Sequence, residues 1–228
     1  MFCIVSILHV PFNTVMKNLL APLFVILVLC AYSTAAAQKD TTFIYFDSLY
    51  NSATKKKATR VGKAVHKNNG WFMIVYKISN GAILMTGNYS DRGLETKEGF
   101  FEYFDEDHSA VKGEYHDNKQ EGVWKRWGRD GLLTDSVFLN AGEIVSVAKY
   151  QYHVNGHLWR FSLERSSNNE KITRVYDSAD VLISAGRFVN DDGEMFIYYP
   201  SGKVRSHSVF KDGKRTIYDL YDENSEKP

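Results

Sequence analysis

The sequence predicts an all-β protein, an antiparallel meander of repeated β-hairpins behind a cleaved signal peptide. Three observations predict it. Beyond Gln38 the chain has no 3.6-residue apolar period and runs instead in short stretches rich in Tyr, Phe, Trp, Val and Ile. Those stretches are broken by Asn80-Gly81, Asp130-Gly131, Asn155-Gly156, Ser201-Gly202 and Asp212-Gly213, pairs that supply the positive φ a tight hairpin turn demands. The stretches are also self-similar at a regular spacing. The gaps leave no room for the long crossover connections of a parallel sheet.

The N-terminal segment comes first. Residues 16–38 read MKNLLAPLFVILVLCAYSTAAAQ: Lys17 is a short positive region, residues 19–31 are apolar apart from Pro22, and Ala35-Ala36-Ala37 is a small-x-small cleavage site before Gln38. The apolar run is shorter than the roughly 20 residues a spanning helix needs, so no stable transmembrane segment is expected after processing. Residues 1–15 contain no Lys or Arg, which makes Met16 the expected start and the upstream stretch an extension. Cutting before Gln38 removes 37 of the 228 residues, Lys17 their one charged side chain, and leaves 27 basic and 27 acidic groups. A neutral chain has no overall field to draw it onto nucleic acid. Cys3 and Cys30 both fall in the removed segment, which excludes a disulfide scaffold, a cysteine nucleophile and a zinc-thiolate site from the mature chain.

The repeat follows from setting segments in register on Gly99, Gly122 and Gly193. Two residues on come Phe101, Trp124 and Met195; five on come Phe104, Trp127 and Tyr198; nine on, at the corner, stand His108, Gly131 and Gly202. One unit is strand, tight turn, strand and second turn, and Gly99 to Gly122 gives its length of 23 residues. Looser copies begin at Gly70 and near Tyr150, and a degenerate one has Asp180 at the corner. The expected organisation is residues 1–37 as extension plus signal peptide and 38–69 as N-terminal strands with a basic loop. Residues 70–215 follow as hairpin repeats and 216–228 as a terminal strand with an acidic tail. Positions two and five in a strand face opposite ways, so Trp124 and Trp127 are expected on opposite sides of a sheet covered in part on both. Residues 41–46 and 216–221 are the expected edge strands, the latter blunted by Asp219, Asp222 and Glu223.

With its opening glycine and aromatic, its Asn-Gly-like corner and its closing aromatic, the unit resembles the MORN-repeat variant of many bacterial proteins, of the kind labelled YwqK-family antitoxins. The N-terminal part is similar to repeat-bearing TonB-family proteins. The resemblance covers residues 70–214 and implies a hairpin-repeat binding module. The chain departs from a TonB-type transducer in having no Pro-rich linker or terminal transducer domain after the repeats, and from a cytoplasmic antitoxin in its export signal.

Candidate chemistry is sparse. His153 and His157 in HVNGH match the two-histidine spacing of zinc proteases, but the Glu is missing and Asn155-Gly156 breaks any helix, so a hairpin is expected. Asp105-Glu106-Asp107-His108 lacks the spacing of a calcium loop and reads as a solvated turn. No metal or cofactor is expected. Lys55, Lys56, Lys57, Arg60, Lys63 and Lys67 form a basic patch suited to anionic headgroups or an acidic partner, and more simply a solvated loop and strand edge. The aromatic columns are first of all core; as a binding surface they would offer Phe101, Phe104, Trp124, Trp127 and Tyr198. The functional expectation is an exported, non-enzymatic binding or structural scaffold of a Gram-negative bacterium, periplasmic or outer-membrane-associated/extracellular. Its partner would be a protein or envelope surface. The alternatives are an antitoxin-like protein bound to a toxin and an envelope enzyme with carboxylates on the sheet face.

Overall fold

The computed structural model describes residues 41–67, 70–105 and 110–224; the signal segment and the corner residues Glu106, Asp107 and His108 lie outside them. The chain divides into units Met1–Thr42 and Phe43–Pro228, and the second carries the fold. It is all-β. Eight strands make the first half: β1 (Thr41–Phe46), β2 (Arg60–Lys67), β3 (Gly70–Lys77), β4 (Ile83–Tyr89), β5 (Lys97–Phe104), β6 (Ala110–His116), β7 (Lys119–Trp127) and β8 (Leu133–Asn140). Seven follow: β9 (Glu143–Tyr152), β10 (Leu158–Arg165), β11 (Glu170–Tyr176), β12 (Leu182–Val189), β13 (Asp192–Tyr198), β14 (Val204–Lys211) and β15 (Lys214–Leu220). They form one antiparallel sheet in chain order, each strand beside its sequence neighbours. Among the described residues there is no helix.

Two kinds of turn alternate along the meander, and the sequence dictates both. At one end, Asp117-Asn118, Ala141-Gly142, Asn190-Asp191 and Asp212-Gly213 are two-residue turns with positive φ at both positions. That is the turn whose twist matches the strands, and small polar or glycine residues tolerate it. At the other end come five-residue corners, 128–132, 153–157, 177–181 and 199–203, each closed by an amide of its first residue onto the carbonyl of its last at 2.8–2.9 Å. The fourth residue of each has positive φ: Gly131, Gly156, Asp180 and Gly202. Asp180 thus takes the glycine conformation that its place in the degenerate copy requires.

The two faces are covered unequally. Register carries one row across Ala64, Met73, Gly87, Phe101 and Gly113, and the opposite row across Lys63, Ile74, Thr86, Glu102, Lys112 and Lys125. The first is the core face. On it Phe101 is 0% exposed and Trp124 5% exposed, joined by Trp71, Met73, Val75, Met85, Tyr89 and Leu139. Glycine makes the burial possible. A methyl group on Gly87 would sit 2.1 Å from Phe101 Cε1, and one on Gly113 2.4 Å from Trp124 Cδ2, so each ring lies flat on a neighbouring backbone. The rings then meet edge to face: Tyr89 with Phe101 at 5.3 Å, Phe101 with Tyr115 at 4.9 Å, and Tyr115 with Trp124 at 5.0 Å. Trp124 donates its indole N–H to Glu114 O at 3.0 Å, so its burial leaves no polar group unmet. Trp127 lies across the sheet on the open face, under Lys112 Nζ at 4.5 Å.

Candidate functional site

The five aromatics named above separate by burial. Phe101 and Trp124 have no surface to offer a ligand, whereas Phe104, Trp127 and Tyr198 are half-buried. Over β1 and β3 to β5 lies a cavity of about 440 Å³, lined by Phe46, Met73, Val75, Met85, Leu94 and Tyr103 among others. Lys97 reaches its wall. Its ammonium lies 4.7 Å from the Tyr115 ring centre and 5.5 Å from that of Phe101, and donates to Tyr103 Oη at 3.2 Å. Burial holds the Tyr103 phenol well above its ordinary value and pushes Tyr89 up to about 12, so both stay neutral donors.

The basic patch is less unified than its sequence. Lys55, Lys56 and Lys57 are exposed in a turn, and Lys63 and Lys67 are exposed on β2. Arg60 is drawn away from them: it donates to Asp47 O at 3.0 Å and stacks over Tyr50 at 4.2 Å. His153 and His157 serve the neighbouring corner separately, His153 at Tyr176 O (3.0 Å) and His157 at Asp180 Oδ2 (2.6 Å).

A row of acids runs along the two-residue turns, and the sequence reading missed it. The carbonyls of Lys97, Gln120, Asn169 and Asp191 accept the amides of Asn118, Gly142, Asn190 and Gly213 in the next turn. The residue after each is acidic: Glu98, Glu121, Glu170 and Asp192. In three units its carboxylate takes a second turn amide: Asp117 at 3.0 Å, Ala141 at 2.6 Å and Asp212 at 2.6 Å. Those bonds satisfy amides that a primed turn leaves over. The Asp117 amide, then His116, holds Glu98 below the usual carboxylate range; Lys211, then the Asp212 amide, does so for Asp192. The sequence carries the pattern as Glu98-Gly99, Glu121-Gly122 and Asp192-Gly193.

Glu170 breaks the rule. Its side chain is 2% exposed and its two oxygens take Arg187 Nε, at 2.6 Å, and Arg165 Nη1. Arg187 first and Arg165 second hold its carboxyl below the ordinary value. Beside this clamp an open groove of about 570 Å³ runs over β11 to β13, lined by Arg174, Ala185, Arg187, Glu194 and Phe196 among others. Phe196 stacks on His207 at 4.5 Å, and His207 bonds Glu194 at 3.2 Å.

The last strand forms an edge. Among the described residues β15 is bonded to β14 alone, and Ile217, Tyr218 and Leu220 are 47%, 50% and 47% exposed. The expected acidic blunting is weaker than the sequence suggests: Asp219 is half-buried and Glu223 accepts from Ser201 Oγ at 3.4 Å. Strand side chains project from the faces, so a carboxylate there guards a face more than the edge. No family model matches the chain, and no curated protein matches it. Within the described residues no helix is long and apolar enough to cross a membrane.

Proposed function

We propose that the chain is an exported, non-enzymatic hairpin-repeat module of a Gram-negative envelope, a MORN-like scaffold that binds a protein partner by strand addition along β15. One observation carries this reading: among the described residues no strand pairs with the outer side of β15, and it carries exposed apolar side chains on both faces, Ile217 on one and Tyr218 and Leu220 on the other. A strand so placed offers unpaired backbone groups for affinity and alternate side chains for specificity. The small-residue cleavage site before Gln38 supports export.

The test is a pull-down of envelope-fraction proteins on the mature chain, run beside Ile217→Lys/Leu220→Lys. Lysines on an edge strand disfavour pairing while leaving β14 in place. A partner retained by the wild type and lost by the variant is the expected result. Equal retention by both, or none by the wild type, sinks strand addition along β15.

A further inference from the structure

The cavity lined by Met73, Met85 and Lys97 differs from a packing gap in one respect: it has a charged end. Its floor is built from Met73, Val75 and Met85, all buried, so an entering group meets a preformed apolar surface. Two thioether side chains in that floor adapt to the shape of a flexible ligand. The volume lies in the range of small-molecule sites, roughly 300–1,000 Å³. Exposed Tyr50 and the Gly93-Leu94 turn also line it, and Leu94 adopts a positive φ of 59° that a leucine rarely takes.

Lys97 decides the ligand's charge. Three aromatic rings, Phe101, Tyr103 and Tyr115, lie within 5.8 Å of its ammonium, and Tyr103 Oη accepts from it. No ion pair joins it to a carboxylate among the described residues. Ring faces compensate part of the desolvation of an ammonium, and an anion compensates the rest. A neutral ligand leaves that end unmet and a cationic one is repelled.

We infer that this cavity binds an aliphatic carboxylate, its chain against Met73, Val75 and Met85 and its head on Lys97 Nζ. The reading is independent of strand addition at β15. Decanoate, kept below its micelle concentration, and decanol are the probes, titrated onto the mature chain by calorimetry and by the methyl resonances of Met73 and Met85. Decanoate binding at least tenfold tighter than decanol, with both methyl resonances shifting, is the expected result. Lys97→Met keeps the fold, because an apolar chain of similar length replaces a partly desolvated cation, and it abolishes the preference for decanoate. Met85→Phe narrows the floor and weakens both ligands. Ile217→Lys/Leu220→Lys binds decanoate as the wild type does. Equal affinity for the two probes, unmoved methyl resonances, or a preference that survives Lys97→Met overturns the assignment.

Discussion

In β5 and β7 the residue two places after the repeat glycine is Phe101 or Trp124, lying on the glycine of a neighbouring strand. At the matching place in β13 stands Met195, which pairs with Gly186 and is only half-buried. This contrast runs through the molecule. The buried apolar side chains fall between Ala64 and Ala148; beyond β9 the buried residues are Glu170, Gly186, Ser206 and Ser208. One hairpin plan is therefore held together in two ways: acid-to-turn bonds run along both halves, but rings on glycines add to them up to β8, and the Glu170 clamp between β10 and β12 takes that place further on. A repeat array permits this, since each unit answers only to its neighbours. The apolar half resists salt; the polar half depends on ionisation and on pairs whose arginines are largely in water.

The largest test of the contrast compares the matched columns. Phe101→Ala and Trp124→Ala each cost about 3–5 kcal/mol, the loss of a packed aromatic with little room for collapse. Met195→Ala, which removes a half-exposed chain, costs less than about 2 kcal/mol on the same scale. Urea midpoints of the three variants decide it, and a Met195→Ala loss as large as that of Phe101→Ala breaks the comparison.

Much of this plan was legible in the sequence, and the reason is physical. Positive φ has few tenants, so Gly131, Gly156 and Gly202 marked the corners, and even Asp180 was placed by spacing alone. Phe101 and Trp124 were read correctly as core because a thin sheet has few other ways to hide an aromatic. The turns Asp117-Asn118 and Asn190-Asp191 escaped because neither contains glycine, although both adopt positive φ throughout. Glu170 escaped for a different reason: its unit has no glycine to align on, and its partners Arg165 and Arg187 lie 5 and 17 residues away on other strands. Cross-strand chemistry appears only once register is known. The cavity was equally hidden, since Phe46, Met85 and Lys97 come from three separate strands.

The second test asks the same question of glycine. Gly87→Ala places a methyl 2.1 Å from Phe101 Cε1 in a ring that cannot retreat, at a cost of about 1–3 kcal/mol. At Gly186 the nearest atoms to the same methyl are Phe188 Cε2 at 3.0 Å and Glu194 O at 3.3 Å. Alanine also lowers the entropy of the unfolded chain there, so Gly186→Ala stays within about 1 kcal/mol of the wild type. Thermal unfolding of both variants sharpens where the glycine-backed core ends.

The third test uses acid. The folded pKa of Glu170 lies below its ordinary value of 4.5. Its contribution is therefore complete above that value and disappears as pH falls through the folded pKa. Glu170→Gln leaves Arg165 and Arg187 without a counter-charge and lowers the urea midpoint at pH 7. Below pH 4.5 the wild type converges on the variant. Glu98 and Asp192 keep some acid sensitivity in both proteins, so the variant's acid limb is shallower but not flat. Parallel curves down to strong acid show that the clamp adds nothing to the polar half.

The smallest expected effect tests the apolar half from outside. Lys125 adjoins Trp124 in sequence but is exposed on the opposite face, where register sets it against Lys112. Two like charges directly opposite in an antiparallel pair repel, while the aliphatic stem of Lys125 covers some neighbouring surface. The two effects oppose each other, and Lys125→Ala changes stability by less than about 0.5 kcal/mol. Added salt narrows even that difference by screening the repulsion. A Lys125→Ala loss comparable to that of Trp124→Ala, in the same urea series, shows that the open face contributes to the apolar half as much as the rings do. The contrast would then lie in the number of covered faces, and no longer in what covers them.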